Sequence, residues 1–429
     1  MLIELLALCL PISSTMLTKT ASSLRFIPFR KKDVIEMCLS SNQLNQHQRQ
    51  QFRRITRMIE RLIHLSFQAK VEALKDTYAC INPDADTRRV DLPTTMNDGA
   101  LPFSKQLEAL LEKANYEPID QSTLELSLTE KSLFKVELAV NFNDFSEALL
   151  FSRGLHEKEE TVTSFWGLRK KTLRFQNYER VALYIRLNES LDPIRKQKFN
   201  LESGGVILKL FKDVPKADLE MLFPNTEVKM RLKDKLLIGI PAAVSGGMVI
   251  STKLGSTLLL LASLFGFWLG FHSNPIEIDK AALVALFAGL VALGSYIVKQ
   301  VSNFKNRKLQ FVQNLTKNLY FKNLDNNAGV FHRLLDEAEE EECKETILAY
   351  YFLLTSEQPL TKPQLDQRIE QWLTDEWRSP INFEVDDAVN KLKNFGLIQN
   401  ADNFRLTAAS LNQANDQLIQ QWSEACPAE

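Results

Sequence analysis

Cysteine and histidine are scarce in this sequence, and neither residue type is clustered. The chain has five cysteines in 429 residues, with no CxxC pair and no neighbouring histidine, which excludes a zinc ribbon or a disulfide framework. It also lacks a phosphate-binding loop, a dinucleotide fingerprint, HExxH and GxSxG. We therefore expect no cofactor, no metal and no catalytic residue, and we interpret the thiols as buried or idle in a reducing compartment. The cysteines are Cys9, Cys38, Cys80, Cys343 and Cys426.

An overall excess of charge of one sign is missing as well. The 52 Lys and Arg residues nearly balance the 53 Asp and Glu residues, so the whole-chain charge indicates no class of partner. The distribution along the chain is uneven. Residues 17–76 carry twelve basic against five acidic side chains, whereas residues 331–429 carry eight against nineteen. This asymmetry predicts different surroundings for the two parts of the chain.

Charge is absent from two long apolar runs. "LGSTLLLLASLFGFWLGF" (residues 254–271) and "AALVALFAGLVALGSYIV" (residues 281–298) could each form a helix of about 27 Å, close to the thickness of a bilayer's hydrocarbon core. We expect a two-helix transmembrane hairpin over residues 236–300, with residues 236–252 as a kinked lead-in; three spans are the alternative. Basic flanks predict that both termini are cytoplasmic. The expected membrane-surface cations are Lys229, Arg231, Lys233, Lys235, Lys305, Arg307 and Lys308.

The expected hairpin determines the predicted localisation and part of the predicted partners. Small residues recur every four positions in each run, which favours close packing of the two helices; a homo-oligomer held by the same stripe is the alternative. Neither run has an acidic or basic side chain to line a channel or transporter. We expect membrane lipid as a partner and the bacterial inner membrane, or an organellar membrane in a eukaryote, as the location. The small residues are Ala262, Gly266, Gly270, Ala281, Ala285 and Gly289.

The N-terminal part consists of a short leading segment and a basic helical region. Residues 1–32 resemble a signal peptide only faintly, so we interpret them as a mis-annotated start with Met16 as the functional one; a cleaved signal or targeting segment is the alternative. In the helical region 33–119, the stretch 46–75 has an apolar stripe at helical spacing. We expect this stripe to pack on its own domain, although a basic amphipathic helix can also lie on an anionic membrane or partner. The stripe consists of Phe52, Ile55, Ile59 and Leu62.

Short alternating or apolar segments between residues 120 and 235 predict strands. "FKVELAVNF", "YERVALYIRL" and "GVILKLF" are the clearest of them, and "KADLEML" predicts a helical turn that ends before Pro224. We therefore expect an α+β domain with an antiparallel or mixed sheet over residues 120–235. In the second strand the side chains expected on one face are Val181, Leu183, Ile185 and Leu187.

A polar cluster in "LYFKNLDNNAGVFHRLL" follows the expected hairpin. We predict juxtamembrane helices over residues 301–344 that break at this cluster, where an asparagine would cap the next helix and a glycine would relax the backbone. A ligand site is the alternative interpretation. The acidic run Glu339–Glu342 is expected to be solvated. The candidate functional or structural joint consists of Asn323, Asp325, Asn326, Asn327 and Gly329, with Asn326 or Asn327 as the expected cap.

Residues 345–429 have the element order of a winged-helix domain. "KETILAYYFLL", "TKPQLDQRIEQWL" and "NFEVDDAVNKLKNFG" predict three helices, and "LIQNADNFRLT" predicts a two-stranded wing. The third helix is the one that such domains often place on DNA, but its acidic side chains would repel phosphate. We therefore expect no nucleic-acid binding and a protein partner bound through this acidic domain. The charged residues of that helix are Glu384, Asp386, Asp387, Lys391 and Lys393.

Three stretches resemble a known family when they are taken together. They are "FKDVPKADLEMLFPNTEVKM", "LYFKNLDNNAGVFHRLLDEAEEEECKETILAYYFLL" and "FEVDDAVNKLKNFGLI". The sequence is similar, from about residue 120 to about residue 400, to domain-of-unknown-function family 3754, to which the mitochondrial transmembrane protein 143 also belongs. The resemblance implies a membrane protein without an established activity, and it implies that the polar joint is a hallmark of the family. It supplies no catalytic residues.

These observations together predict an α+β membrane protein with an N-terminal helical region, an α+β domain, a transmembrane hairpin and a C-terminal winged-helix-like domain. We expect a non-enzymatic anchor or scaffold whose cytoplasmic domains bind a protein partner. The alternative is a membrane-associated enzyme on a lipid or small metabolite, with its site between the α+β domain and residues 319–332. A channel or transporter is a third interpretation and would require an oligomeric pore.

Overall fold

The computed structural model describes residues 24–84, 101–120, 137–164, 169–191, 205–229, 319–402 and 404–426, together with single positions between 268 and 313. The chain divides into two compact units. Unit 1 consists of Met1–Asp120, Asp144–Lys216 and Leu324–Glu429, and unit 2 consists of Gln121–Asn143 and Ala217–Asn323.

The described elements are seven α-helices, nine strands and two 3-10 helices. The helices are α1 (Lys31–Ser40), α2 (Gln46–Ala79), α3 (Phe103–Lys113), α4 (Ala328–Leu354), α5 (Lys362–Trp377), α6 (Val385–Asn394) and α7 (Leu411–Ala425). The strands are β1 (Glu117–Pro118), β2 (Glu137–Ala139), β3 (Phe145–Ser164), β4 (Arg169–Leu187), β5 (Val206–Pro215), β6 (Glu227–Lys229), β7 (Asn323–Asn326), β8 (Ile398–Asp402) and β9 (Arg405–Ala408). The 3-10 helices are Phe142–Asp144 and Lys216–Leu222.

The long basic helix α2 packs on its own unit. It begins with a capping box in which the side chains of Asn45 and Gln48 each accept a hydrogen bond from the other residue's backbone N–H. The predicted stripe is buried, with Phe52, Ile55 and Ile59 fully enclosed. Phe52 stacks on Tyr350 of α4 at a centroid distance of 6.3 Å. The expectation that the stripe packs on its own domain is therefore confirmed.

A five-stranded sheet forms the second part of unit 1. Its strand order is β1-β3-β4-β5-β7, and β1, β3, β4 and β5 pair antiparallel along this order. The alternation along β4 sends its side chains to two faces. Val181, Leu183 and Ile185 are buried on the predicted face, while Ala182 and Tyr184 join the apolar core that the helices share. This sheet supplies two arginines to the candidate site.

Helix α4 lies in the centre of unit 1. Its 27 residues contact α1, α2, α3, α5, α6 and β5. Every residue from Glu341 to Leu353 is buried, so this part of the helix is enclosed on all sides rather than along one stripe. The helix continues through positions 344 and 345, where the predicted juxtamembrane and winged-helix segments meet.

The C-terminal part of unit 1 has the predicted order of elements. The second half of α4 is followed by α5, α6 and the antiparallel hairpin β8–β9. Leu360 adds an isolated antiparallel bridge to Leu406 in β9. The chain then forms α7, which packs on α2. Helix α7 is an element that the sequence patterns did not predict.

In unit 2 the described residues form short elements. β2 pairs antiparallel with β6, and the side-chain amide of Asn225 donates to the carbonyl of Asn141 at 2.7 Å. The 3-10 helix Lys216–Leu222 buries Leu219 and Met221, and it is the helical turn predicted from "KADLEML".

The predicted transmembrane hairpin is contradicted. Within the part of the chain that the structure describes, no helix is both long enough and apolar enough to cross a bilayer. The fold class is therefore corrected from an α+β membrane protein to an α+β protein. The physical reason is that hydropathy measures only the composition of a run, whereas a span also needs one continuous helix that satisfies its own backbone.

Most side chains assigned to the hairpin lie outside the described residues. This holds for all six small residues, Ala262, Gly266, Gly270, Ala281, Ala285 and Gly289, and for the cations Arg231, Lys233, Lys235, Arg307 and Lys308. Lys305 is described and exposed, and Lys229 ends β6.

Candidate functional site

The polar joint connects the edge of the sheet to the central helix. β7 ends at Asn326, and α4 begins two residues later at Ala328. Asn327, between them, has a φ of +51° and a ψ of −126°, a strained conformation that residues other than glycine rarely adopt. Its backbone N–H donates to the carbonyl oxygen of Leu208 in β5 at 2.7 Å. The joint therefore fixes the direction in which α4 leaves the sheet.

The side chains of Asp325 and Asn327 in the joint contact other residues of the protein. Asn327 occupies the N-cap position of α4, but its side chain makes no capping hydrogen bond and donates instead to Asp84. Asp325 forms an ion pair with Arg333, one turn into α4. A Cβ on Gly329 would lie 3.0 Å from the carboxylate of Asp325, so this close approach favours glycine. The expected cap is wrong, because the amide that was to provide it contacts a residue far away in sequence.

The other two residues of the joint, Asn323 and Asn326, do not distinguish the structural interpretation from a ligand site. The side-chain oxygen of Asn323 is enclosed without a hydrogen-bond partner, and Asn326 is exposed. The contacts of Asp325, Asn327 and Gly329 support the structural interpretation of the joint over the ligand site.

The second half of the acidic run Glu339–Glu342 is buried, contrary to the expectation that the run is solvated, whereas Glu339 and Glu340 are partly exposed. Glu341 and Glu342 are 3% and 4% exposed, and Lys344 and Glu345, which follow them, are 3% exposed each. Burying a carboxylate is unfavourable unless hydrogen bonds and an opposite charge compensate it. Such groups reach α4 from elements that are distant in sequence, and they form three clusters.

The first cluster surrounds Glu337 and ties α4 to the sheet. The Tyr116 hydroxyl donates to Glu337 Oε2 at 2.9 Å, and Arg153 Nη2 lies 3.1 Å from the same oxygen. Arg180 forms an ion pair with the other oxygen. Burial raises the pKa of Tyr116, so its hydroxyl keeps the proton that it donates. One carboxylate therefore holds two guanidinium groups from β3 and β4.

The second cluster ties α4 to the segment before α1. Lys344 Nζ lies 2.7 Å from Glu341 Oε1 and donates to the carbonyl oxygens of Ile27 and Phe29 at 2.7 and 3.1 Å. Glu341 Oε2 accepts the backbone N–H of Ile27 at 3.0 Å. Both charged side chains are 4% exposed, so this ion pair is screened from solvent.

The third cluster ties α4 to α3 and α6. Lys113 Nζ is 2.7 Å from Glu342 Oε1, and the Asn115 amide donates to Glu345 Oε1 at 2.9 Å. Lys391 of α6 lies 3.6 and 3.7 Å from Glu342 and Glu345. Burial raises the pKa of Glu345 to about 8, although Lys391 and Asn115 act in the opposite direction. This carboxyl group therefore stays largely protonated at neutral pH.

The arrangement is suited to holding elements together rather than to catalysis. Glu337, Glu341 and Glu342 of α4 each meet a group from another element, and among the described residues no group of three or more His, Cys, Asp or Glu side chains could hold a metal ion. Burial raises the pKa of Cys343 to about 12 and that of Cys38 even further, so neither thiol forms a nucleophilic thiolate near neutral pH.

Ionisation of Glu345 should give the protein a pH dependence that a glutamine removes. The folded state keeps a proton up to a pH of about 8 that the unfolded state loses near 4.5, so the stability from this proton is lost as the pH rises between these values. Glu345→Gln imitates the protonated group. It should raise the free energy of unfolding at about pH 8.5 by on the order of 1–4 kcal/mol and change it little at about pH 4.5.

Urea unfolding followed by tryptophan fluorescence at both pH values measures this effect. Glu36→Gln is the matched control, because that carboxylate is half exposed beside Arg53 and the substitution should leave the pH profile unchanged. A Glu345→Gln profile as steep as that of the wild type would contradict the assignment.

Sequence reasoning missed this charge network, although one local signal was present. The acidic run is followed directly by "KETILAYYFLL", which is too apolar for a solvated helix and yet carries Lys344 and Glu345 at its start. Charged residues that directly adjoin a buried apolar segment are expected to have partners of opposite charge inside the protein. Which cations serve as partners is not visible in the sequence.

The sequence model of one family matches part of this chain. Its description is "Protein of unknown function (DUF3754)", and the match covers residues 178–329. This match supports the resemblance to the DUF3754 family for that part of the chain. The DUF3754 match begins in β4, just before Arg180, and ends in the first turn of α4, so it contains the whole joint but only one of the two arginines that hold Glu337. No solved structure matches the chain.

Proposed function

We propose that this protein is a non-enzymatic scaffold whose C-terminal helices and hairpin bind a protein partner. The observation that carries the proposal is the orientation of α6. Its apolar residues Ala388, Val389 and Leu392 are buried, whereas Asp386 and Asp387 are exposed at its first turn. An exposed acidic face favours a partner with a basic surface, because complementary charge speeds encounter and selects partners.

The cations near this face are largely used inside the protein. Lys391 is 13% exposed and lies between the carboxylates of the third cluster, and Lys362 of α5 pairs with Asp386. Lys393 stays exposed. DNA affinity depends on neutralising phosphates with accessible cations. The geometry of α6 therefore supports a protein partner over a nucleic acid.

Site-specific cross-linking tests the proposal in the full-length protein. A photoreactive phenylalanine at the exposed position Asn390 of α6 should give a protein adduct in cells, and one at the exposed turn residue Ser190 should not. The pair Asp386→Lys and Asp387→Lys should reduce the adduct about five-fold, the effect of roughly 1 kcal/mol from two surface charges.

Binding to duplex DNA tests the competing function, nucleic-acid recognition. The wild-type protein should not shift duplex DNA in a gel at physiological salt. A DNA shift by the wild type, or an adduct that forms equally from Asn390 and Ser190, would contradict the proposed function.

The alternative function, an enzyme with its site between the α+β domain and residues 319–332, would need free polar groups at the joint. Asp325 and Asn327 are engaged by Arg333 and Asp84, so Asn323 and Asn326 are the joint residues that a ligand could use. The engagement of Asp325 and Asn327 favours the scaffold.

A further inference from the structure

Residues 24–29 lie extended against the C-terminal part of unit 1 before α1 begins. The backbone N–H of Leu24 donates to the carbonyl of Pro380 at 3.4 Å, and the backbone N–H of Asn382 donates to the carbonyl of Leu24 at 2.8 Å. Leu24 is thereby paired in parallel with Ile381. The segment meets the C-terminal helices as an added strand does, through its backbone.

Helix α4 binds the same segment through its main chain. The Ile27 N–H donates to Glu341, and Lys344 donates to the carbonyl oxygens of Ile27 and Phe29. One carboxylate and one ammonium group thus satisfy donors and acceptors at alternate positions of an extended chain. These contacts recognise a peptide backbone whatever its side chains are.

Two side chains of the segment add selectivity. Arg25 Nε donates to Glu384 Oε1 at 2.8 Å, and its Nη1 donates to Glu117 Oε1 at 3.2 Å. The ring of Phe26 packs against the Arg153 guanidinium at 4.7 Å. An arginine between two acidic groups is held in a fixed geometry, since its planar group donates in several directions. The preferred pattern is therefore apolar–Arg–apolar–apolar.

The buried ion pair of the groove stays intact when the segment leaves, whereas Glu117 and Glu384 lose Arg25 and become available to another cation. Glu341 and Lys344 are 2.7 Å apart on the same helix and neutralise each other without the segment. Pro28 separates the contacts of Ile27 from α1, which has its own anchor in the hydrogen bond from the Lys31 N–H to Glu340 at 3.0 Å. A buried ion pair contributes little net stability compared with apolar packing, so its presence here needs a further reason.

We propose that these residues form a docking groove for an extended peptide, occupied here by residues 24–29 of the same chain. The groove consists of Glu117, Glu341, Lys344, Ile381 and Glu384. A partner with an apolar–Arg–apolar–apolar segment displaces residues 24–29 and takes over their contacts. This inference rests on the proposed function, for which it supplies the chemistry of the partner.

Anisotropy with a fluorescein-labelled peptide LRFIPFR, the sequence of residues 24–30, tests the groove in the full-length protein. The wild type should bind the peptide weakly, because its own segment competes. The double variant Leu24→Asp and Arg25→Ala weakens only that competitor and should bind the peptide at least about ten-fold more tightly, since apparent affinity scales with the fraction of open groove. Equal affinities would overturn the proposal.

A second substitution identifies the contact that gives selectivity. Glu384→Gln, added to the double variant, should reduce the affinity for LRFIPFR by about ten-fold, as expected for loss of a charge-assisted pair. It should change the affinity for LQFIPFR less than two-fold. An equal loss for both peptides would overturn the role of Glu384. Arg30→Ala is the control, because Arg30 pairs at the surface with Asp33, outside the groove, and should leave binding unchanged.

Hydrogen exchange on the wild type keeps the inference testable if the double variant does not fold. The amide of Ile27 should exchange at least about ten-fold faster than that of Ile347 in α4, because residues 24–29 open without global unfolding. Equal protection would overturn the proposal. If the peptide binds but no cross-link forms from Asn390, the proposed partner surface on α6 is wrong and the groove proposal stands. If the cross-link forms but the peptide does not bind, only the groove proposal is wrong.

Discussion

Lys344→Met should lower the free energy of unfolding by roughly 3–5 kcal/mol, the usual cost of removing one partner from a buried ion pair. The ammonium group of Lys344 neutralises Glu341 and donates to two carbonyl oxygens. Methionine fills a similar volume without charge. The carboxylate of Glu341 would then be buried with the Ile27 N–H as its remaining hydrogen-bond donor.

Lys75→Met is the matched control for this prediction. Lys75 and Glu72 form a pair at the same spacing along a helix, with their side chains 45% and 63% exposed. An exposed pair of this type contributes about 0.3–0.5 kcal/mol. Glu341→Gln added to Lys344→Met should recover part of the loss, because no unpaired charge then remains at this pair. Urea unfolding gives all these values, and equal costs for Lys344→Met and Lys75→Met would show that the buried pair is not needed.

Glu337→Gln should cost roughly 3 kcal/mol or more, because it leaves two guanidinium groups without their counter-charge. Arg153 and Arg180 both pair with this carboxylate, and Arg153 is 8% exposed. A glutamine keeps the shape and can still accept the hydrogen bond from Tyr116. The expected loss of unfolding free energy therefore measures the removal of the charge and not a change in packing.

An exposed pair on the same strands serves as the control for Glu337→Gln. Glu159 of β3 pairs with Arg174 of β4 at 2.5 Å, and the two side chains are 52% and 74% exposed. Glu159→Gln should change the free energy of unfolding by less than about 1 kcal/mol. Adding Arg180→Met to Glu337→Gln should restore part of the stability. Absence of any difference between Glu337→Gln and Glu159→Gln would contradict the role of Glu337.

The C-terminal elements could be predicted from the sequence because their signals are local. Thr361 and Gln364 form the start of α5, where the Thr361 N–H donates to the Gln364 side chain at 2.9 Å. Gly396 follows α6 with a φ of +67°, the conformation that ends helices and favours glycine. Signals of this kind involve residues within four positions of each other, so one sequence is enough to find them.

The charge network could not be predicted because its partners are distant in sequence. Lys113 and Glu342 are 229 positions apart, and Asn115 and Glu345 are 230 apart. An acidic run on its own predicts a solvated face, and only the fold brings the compensating cations to it. The same distinction applies to the joint. The break before α4 could be predicted because its signal lies in neighbouring residues, whereas the contacts of Asn327 with Leu208 and Asp84 join residues that are distant in sequence.

The central position of α4 has a consequence for the order in which unit 1 assembles during synthesis. Its residues come from three separate parts of the chain, and α4, which supplies the carboxylates for all three clusters, emerges from the ribosome only after residue 328. Until then Lys113, Arg153 and Arg180 lack their counter-charges, and the groove for residues 24–29 does not exist. Contacts that span more than 200 residues also fold slowly, because the chain entropy of closing such loops is lost first. The apolar stripe of α2 that packs on α4 therefore has no partner on α4 until that helix has been synthesised.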